Sequence, residues 1–401
     1  MNLLRKEWSI IIMDVISTKD EEALMQKKCA CFIYMIPGFA RARCYKLIEA
    51  AGCPKEAYKM EANQIKALFG EKAAVRWQSY KKQYTPDMVW EKLTGKGINF
   101  TYYGAKDFPE KLRLIPDPPF GLFYLGSLPR QDRPSIAMIG ARQCSEYGRC
   151  MAEYFARSMA NTGVQIISGM AMGIDGISQK AALKAGGKTF GILGCGVDVI
   201  YPLSNERLYY EMIQNGGAIS ESVPGTEPKA GLFPQRNRII SALSDVVLVV
   251  EAREKSGTFI TVDTALEQGR EVYTIPGRCT DDLSVGCNRL IRQGAGAAIR
   301  PEDILEDMGW SVKGKNHIPQ EEYRIRKYNE AVKSDMSQLA KQIVEVMDII
   351  PCSQDYIVNM LRNRGGMATV PDICQELLEL ELKGIINRIG GQYKIVNYKK
   401  F

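Results

Sequence analysis

The stretch that decides the fold is Asp245-Val246-Val247-Leu248-Val249-Val250. Its unbroken apolar run is typical of a parallel strand covered on both faces, because a solvent-facing side would bring in alternating polar residues. Similar runs occur at residues 136–139, 164–168, 189–194, 218–220 and 271–275, and helical patterns separate them at 147–162, 175–185, 206–214, 237–243 and 261–268. This alternation predicts an α/β fold over residues 135–308: an extended Rossmann-like, doubly wound, mostly parallel sheet.

The residues before this domain carry helical patterns, at 41–51, 61–69 and 73–80. We therefore predict a small helical domain over 28–100, of helix-hairpin-helix or SAM-like type, followed by a proline-rich linker over 101–134. The turn Pro37-Gly38-Phe39-Ala40 resembles the hairpin whose backbone amides contact a phosphate in DNA-binding modules. Because Ala40 replaces the second glycine of that hairpin, a purely structural domain is the alternative.

The residues after the domain predict a charged linker over 309–335 and a winged-helix-like domain over 336–401. Three helical patterns, at 339–347, 353–363 and 370–382, precede a short hairpin that ends in Gln392-Tyr-Lys-Ile395. Acidic residues interleave with leucines in the third helix, which suits a recognition helix poorly. A protein-interaction or structural module is therefore as consistent with this region as a DNA reader.

The composition excludes several kinds of chemistry. The chain has 401 residues, a net charge of +7, 45% hydrophobic and 25% charged residues, which is ordinary for a soluble protein and compatible with a polyanionic partner. The single histidine, His317, excludes a Ser-His-Asp triad or a multi-histidine metal site unless it takes part itself. Eleven cysteines without a C-x-x-C pair fit a reducing compartment. We expect no metal.

No targeting or cofactor motif is present in the sequence. The apolar run at 29–40 is too short for a bilayer, which needs about 20 residues, so we expect a cytoplasmic protein without a membrane partner. No Walker A motif occurs, and Gly194-Cys-Gly196 lacks the helix opening of a dinucleotide fingerprint. We therefore expect no cofactor.

The predicted binding edge lies where the strands end. Ligands of open α/β sheets bind beyond the carboxyl ends of the strands, and glycine turns follow three of the predicted strands: Gly140-Ala-Arg142, Ser168-Gly169 and Ser256-Gly257-Thr258. Such turns bring backbone amides to a phosphate. The segment Phe233-Pro-Gln-Arg236-Asn237-Arg238 adds two guanidinium groups for phosphates, a ring that can stack on an unpaired base, and an amide.

The ordered set of motifs resembles the DNA-processing protein A family (DprA, also called Smf). The resemblance covers the central domain through Ile139-Gly-Ala-Arg142, Gly173-Ile-Asp175, Tyr201-Pro202, Phe233-Pro-Gln-Arg-Asn-Arg-Ile239 and Ser256-Gly-Thr258. It implies a bacterial cytosolic protein that binds single-stranded DNA without strong sequence preference and forms homodimers. It further implies that the protein helps to load a RecA-type recombinase during natural transformation.

The resemblance also implies roles for individual residues. Arg142, in the turn that begins at Gly140, would contact a phosphate. Phe233 would lie near an unstacked base, and the positively charged pocket would be lined by Lys229, Arg236 and Arg238, with Asn237 beside them. Backbone or hydroxyl contacts would come from Ser168, Gly169, Ser256, Gly257 and Thr258. One departure is Ile177-Ser178, where the family carries Ala-His; this removes an imidazole from the pocket.

Two rival functions are weighed against this one. Nucleotide phosphoribohydrolases with a related fold carry a catalytic Glu after a Gly-Gly-x-Gly-Thr turn, but this chain has Thr261 there. The remaining acids are Asp175, Glu221, Glu251 and Asp263, and we assign no catalytic residue. The second rival, a duplex-specific regulator, is disfavoured by the weak basicity of residues 370–382. If the binding hypothesis holds, Arg142→Ala and Arg236→Ala should each weaken binding without altering the fold.

Overall fold

The computed structural model describes residues 20–310, 336–347, 351–364 and 368–395. The chain divides into two compact units. The larger unit is built from residues up to 144 together with 151–308, and the smaller one from 145–150 together with residues after 308. His317 lies outside the described residues, as does most of the predicted linker at 309–335.

The larger unit is organised around a nine-stranded sheet in the order β1-β2-β6-β5-β4-β3-β7-β8-β9. The strands are β1 (Asn99–Tyr102), β2 (Gly121–Gly126), β3 (Ser135–Ile139), β4 (Gln165–Ser168), β5 (Thr189–Leu193), β6 (Gly216–Ser220), β7 (Val246–Val249), β8 (Glu271–Thr274) and β9 (Gly296–Ala297). The pairs β1–β2 and β2–β6 are antiparallel, and all other pairs are parallel. The α/β prediction with a mostly parallel sheet is confirmed.

The helices of the larger unit fall into two groups. The first, before the sheet, comprises α1 (residues 20–35), α2 (Arg41–Ala51), α3 (Pro54–Lys59), α4 (Ala62–Phe69), α5 (Glu71–Gln83) and α6 (Pro86–Thr94). The second accompanies the strands and comprises α7 (Glu110–Arg113), α8 (Glu146–Asn161), α9 (Ile174–Lys184), α10 (Glu206–Gln214), α11 (Leu232–Leu243), α12 (Thr258–Glu267), α13 (Asp282–Arg292) and α14 (Pro301–Asp307).

The strand order reverses direction between β3 and β7. From β3 the chain proceeds through β4 and β5 to β6 on one side, and β7 continues through β8 to β9 on the other. The loops after β3 and β7 therefore diverge and leave a crevice at the carboxyl edge of the sheet. At the bottom of this crevice a hydrogen bond joins the two loops, since the backbone N–H of Ala141 donates to the carbonyl of Glu251 at 2.9 Å.

The core supports the sheet as the opening stretch predicts. All four residues of β7 are completely buried. Helix α11 packs on the sheet through Ile239, Ile240 and Leu243, which share one apolar cluster with the side chains of the central strands. Because α11 is held by this buried face, the side chains of its first turn have fixed positions at the crevice.

The predicted linker over 101–134 is wrong. Residues 121–126 form β2, which pairs with β6 so that Phe123 lies opposite Ser220. The prolines at 116, 118 and 119 precede this strand and do not interrupt it, which is the position in which proline is compatible with a sheet. The helical region also packs directly on the sheet extension: the ring of Tyr34 stacks on that of Phe123 with centroids 6.0 Å apart.

Two helices begin earlier than their patterns predicted. Helix α11 begins at Leu232, not at residue 237, and α12 begins at Thr258, not at 261. Pro234 is the third residue of α11, within the first turn, where proline removes no helical hydrogen bond. The earlier start matters for the site, because it places Phe233 on the helix and not in a preceding loop.

The smaller unit contains α15 (Gln338–Val346), β10 (Cys352–Ser353), α16 (Gln354–Asn363), α17 (Val370–Leu382), β11 (Ile386–Ile389) and β12 (Gln392–Ile395). Its three strands pair antiparallel in the order β10-β12-β11. Ser337, Ser353 and Thr369 cap the three helices with their hydroxyl oxygens. The sequence patterns predicted three helices followed by a hairpin, and the structure adds the short strand β10 between the first two helices. In the part of the chain that the structure describes, no helix has the length and apolar character to cross a bilayer.

Candidate nucleic-acid interface

A cleft of about 550 Å³ opens at the crevice between β3 and β7. Its walls are the turn after β3, the turn before α12 and the first two turns of α11. The cleft brings together the predicted site residues Gly140, Arg142, Phe233, Arg236, Asn237, Ser256, Gly257 and Thr258. Two glycine turns and the start of α11, which are far apart in sequence, thus meet at one edge, as expected for a doubly wound sheet.

An arginine and two aromatic rings dominate the wall of this cleft. The side chain of Arg142 is exposed, and its Cζ lies 5.8 Å from the centroid of the Phe233 ring. The Phe233 ring in turn stacks on Tyr201, with centroids 5.6 Å apart and planes inclined by 30°. Tyr201 is 42% exposed. A free guanidinium beside a ring pair is the combination that grips a phosphate and an adjacent base.

Tyr201 is a functional candidate that the sequence reasoning missed. It appeared there only as part of a Tyr201-Pro202 motif. Its contact with Phe233 depends on the fold, since Tyr201 lies in the loop after β5 and Phe233 on α11, with α10 and β6 between them in the sequence. The available signal was the motif itself, because an aromatic residue in a loop beyond a strand end is positioned for a ligand.

The turn before α12 offers open backbone. The Ser256 hydroxyl donates to Thr258 Oγ1 at 2.9 Å and accepts from the Thr258 N–H at 3.2 Å. Gly257 is exposed, and a Cβ atom built on it would meet no atom within 4 Å. The turn is therefore uncrowded at Gly257, at the positive end of a ten-residue helix that favours a phosphate.

Arg236 is not a free cation of the cleft, and this corrects the prediction. It is only 8% exposed. Its Nη1 donates to the carbonyl of Gly169 at 2.7 Å and to that of Ile192, which joins the ends of β4 and β5. Burial lowers the pKa of its guanidinium to about 10, and the nearby carboxylate of Asp175 opposes that shift. Arg236 is therefore part of the support of the cleft.

Asp175 completes this buried support. Its Oδ2 accepts a hydrogen bond from the Gly169 N–H at 3.0 Å. Burial raises its pKa, an effect that Arg236 and the Gly169 amide partly offset. Any side chain at position 169 would overlap both groups, since a Cβ would lie 2.5 Å from Arg236 Nη2 and 2.7 Å from Asp175 Oδ2. Glycine is needed here for packing.

Ser168 and Gly169 make contacts inside the protein, and Gly140, which lines the cleft, is tightly packed. The Ser168 side chain is fully buried and its hydroxyl donates to the Met138 carbonyl at 2.6 Å, so it cannot reach a ligand. The backbone of Gly169 is occupied as described above. Gly140 allows β3 and β7 to approach, because a Cβ there would lie 2.8 Å from the Glu251 carbonyl oxygen.

Arg238 lies on another face of α11 and does not line the cleft. It is paired with two carboxylates: its Nε lies 3.2 Å from Asp117 Oδ2, and its Nη2 contacts Glu221. Its side chain is 12% exposed. The spacing explains the error, since residues two apart on a helix point in different directions.

Lys229 and Asn237 flank the pocket in different ways. Lys229 is exposed, and its carbonyl accepts from the Leu232 N–H at 3.0 Å, just before α11 begins. Its neighbours Pro228 and Ala230 line the cleft. Asn237 is half-buried and its side-chain carbonyl accepts from Arg236 Nε at 3.3 Å.

At Ile177-Ser178, where the sequence departs from the family pattern, the Ser178 side chain is fully buried. Its hydroxyl donates to the Asp175 carbonyl at 2.9 Å.

The carboxylates around the cleft are already engaged or lie apart from it. Glu221 pairs with Arg238, Glu251 is 2% exposed, and Asp263 is exposed on α12 outside the lining. Thr261, which takes the place of a hydrolase Glu, is buried. Within the described ranges, no group of three or more acidic, cysteine or histidine side chains could hold a metal ion.

The fold defines a Rossmann-like protein with a cleft at the point where its strand order reverses. The chain matches the family model of DNA recombination-mediator protein A over residues 99–309, more than half of its length, and it belongs to that family. It is 37% identical to Protein Smf of Escherichia coli over 71% of this chain and 74% of that protein. It is 41% identical to the DNA processing protein DprA of Bacillus subtilis over 53% of this chain and 72% of that protein.

A solved structure supports the same assignment. The structure of DNA processing protein A from Streptococcus pneumoniae is similar with a TM-score of 0.59 and 30% sequence identity. The similarity covers 73% of this chain and 97% of the pneumococcal chain. The family resemblance derived from the motifs is therefore confirmed.

Proposed function

We propose that this protein binds single-stranded DNA without strong sequence preference, in the cleft between β3 and β7. The observation that carries the proposal is the exposed guanidinium of Arg142 beside the stacked rings of Phe233 and Tyr201. Arg142 would hold a backbone phosphate, and the exposed turn at Gly257, at the start of α12, would hold a second one. Family membership supports DNA as the polyanion.

The rings favour a single strand over a duplex. A base can stack on Phe233 or Tyr201 only if its face is free, and in a duplex that face is covered by the neighbouring pair. Stacking is tolerant of sequence because every base has a π-face, and it contributes about 1–3 kcal/mol per base.

The wider role rests on the family. We propose that the protein protects single strands and helps to load a RecA-type recombinase onto them, in natural transformation and DNA recombination. We further propose that it acts as a homodimer in the cytoplasm. Hydrolysis on the phosphoribohydrolase pattern is the less favoured alternative, because the side chain at the decisive position is the buried hydroxyl of Thr261.

The experiment that tests the cleft compares Arg142→Ala and Phe233→Leu with the unchanged protein, by fluorescence anisotropy of a labelled oligo-dT. Each change should weaken binding by roughly tenfold or more, because each removes a charge-assisted contact or a stacking platform. Arg207→Ala is the matched control: Arg207 is an exposed arginine on α10 that pairs only with Glu211, among the contacts described. Affinities that match the control in both variants would reject this cleft.

A further inference from the structure

We propose that the DNA strand continues from this cleft around the start of α11 into a second cleft, where Arg43 and Arg76 of the helical region hold its backbone. This inference rests on the proposed function. The second cleft, of about 810 Å³, lies between residues 34–42 and the surface formed by α11 and the loop after β6. Its residues come from the helical region on one side and from the Rossmann-like sheet on the other.

The two clefts lie next to each other at the start of α11 and share Arg236 as a lining residue. Gly194 and Arg236 line the second cleft and also a small gap beside Phe233. That gap reaches Arg142 and Tyr201, which belong to the first cleft. This gap, of about 30 Å³, is too small for a nucleotide, so the strand would have to pass over the surface of α11. The exposed start of the helix offers that route, because Pro234 lines the first cleft and Gln235 lines the second.

Unneutralised arginines lie at the turn that borders this second cleft. Arg43 Nη1 donates to the Gly38 carbonyl at 2.8 Å. The guanidinium of Arg76 lies against the same residue, because a Cβ built on Gly38 would be 2.3 Å from Arg76 Nη1. Gly38 itself lines the cleft. Within the described residues, neither arginine pairs with a carboxylate, and both are available to phosphates.

The charge distribution indicates a passing polymer rather than a small buried anion. Deeper in the second cleft, Arg41 and Arg238 are neutralised by Asp117 and Glu221. A small anion seated there would have to displace a carboxylate from its arginine. A strand that runs along the rim would meet the guanidinium groups of Arg43 and Arg76 at Gly38, for which the described residues provide no carboxylate partner. Extended phosphate backbones suit such rim cations, because arginine binds phosphate bidentately.

The test titrates the full chain into labelled oligo-dT of different lengths. The lengths run from about six to about 25 nucleotides, which span one to several binding sites of a single-strand binder. Arg43→Ala/Arg76→Ala should weaken binding of the long oligonucleotide by roughly tenfold and leave the short one unchanged. The log–log salt slope for the long oligonucleotide should become shallower by about 1.4, because two phosphate contacts are lost. Arg76→Glu alone, at an exposed position, should give a similar loss if the double variant is unstable.

The matched control is Lys59→Ala/Lys66→Ala, which removes two cations of the same helical region that already pair with Glu56 and Glu71. The second contact is overturned if Arg43→Ala/Arg76→Ala loses no more affinity than this control at any length. It is also overturned if that variant loses the same affinity for short and long oligonucleotides. Arg142→Ala should instead weaken short and long oligonucleotides alike. If the unchanged protein binds no oligonucleotide at all, the proposed function itself fails.

Discussion

At the scale of single residues, burial decides which arginine can act on a ligand. Arg142, Arg236 and Arg238 looked equivalent in the sequence, but only Arg142 is exposed in the cleft. Arg236 ties two carbonyls together beneath it, and Arg238 is held by two carboxylates on another face of α11. The side chains at the site thus divide into one that is available to DNA and two that shape the protein.

Arg236→Ala should destabilise the fold, contrary to what the sequence suggested. The change leaves the carbonyls of Gly169 and Ile192 without their side-chain donor and Asp175 buried without its nearby cation. Loss of one partner in such a buried set costs about 3–5 kcal/mol. A urea titration followed by circular dichroism should show a clearly lower midpoint than for the unchanged protein.

Arg142→Ala is the control for that titration, since replacing an exposed side chain changes the free energy of unfolding by no more than about 0.5 kcal/mol. If both variants unfold at the same urea concentration, Arg236 does not stabilise the fold as proposed. In that case its carbonyl contacts would carry no net stability, and a direct role in binding would have to be considered again.

The sequence could predict the chemistry of the site but not its geometry. Glycine turns after strands and the Phe233–Arg238 segment identified the correct edge, because strand ends of a parallel sheet converge there. The burial of Ser168 and Arg236, and the stacking of Tyr201 on Phe233, depend on side chains that are far apart in sequence. Local patterns carry no information about such contacts.

At the scale of elements, the turn after β3 is positioned by close backbone packing on the start of α9. Gly173, just before α9, has a φ of 75° and a ψ of −134°, a conformation that is essentially restricted to glycine. A Cβ there would lie 2.2 Å from the Ala141 carbonyl oxygen and 2.4 Å from that of Arg142. The turn that carries Arg142 is thus packed directly on the start of α9.

Gly173→Ala should therefore lower both stability and DNA affinity. The strained backbone alone costs about 1–3 kcal/mol, and the overlap would displace the Arg142 turn. Gly257→Ala provides the comparison, because position 257 has a helical φ of −61° and open space around it. Thermal unfolding should separate the two variants clearly. Equal melting temperatures would contradict the close approach of these two turns.

Helices and strands could be predicted where neighbouring residues in the sequence form the pattern that defines them. The strands β3 to β8 are apolar runs bounded by turns, and each was found within two residues of its observed limits. The sheet extension was missed, because β2 follows three prolines and takes its partner β6 from almost a hundred residues away (Phe123 opposite Ser220). Helix α11 was shortened in the prediction because Pro234 resembled a boundary.

At the scale of the whole molecule, the helical region belongs to the same compact unit as the sheet. Its aromatic core joins Phe32, Trp77 and Phe100 to Phe123 of β2, and the Tyr34 hydroxyl donates to the Glu221 carbonyl at 2.8 Å. A region that the sequence separated by a linker is thus a fixed wall of the second cleft. This continuity is what allows one strand to contact both parts of the unit.

The most direct test of the central claim is the affinity of the unchanged protein for a labelled oligo-dT and for its matched duplex, measured by anisotropy across a salt series. We predict much tighter binding to the single strand, with a log–log salt slope of about −0.7 for each phosphate contacted. Equal and weak binding to both forms would contradict the claim, and would leave Arg142, Phe233 and Tyr201 as an ordinary solvated surface.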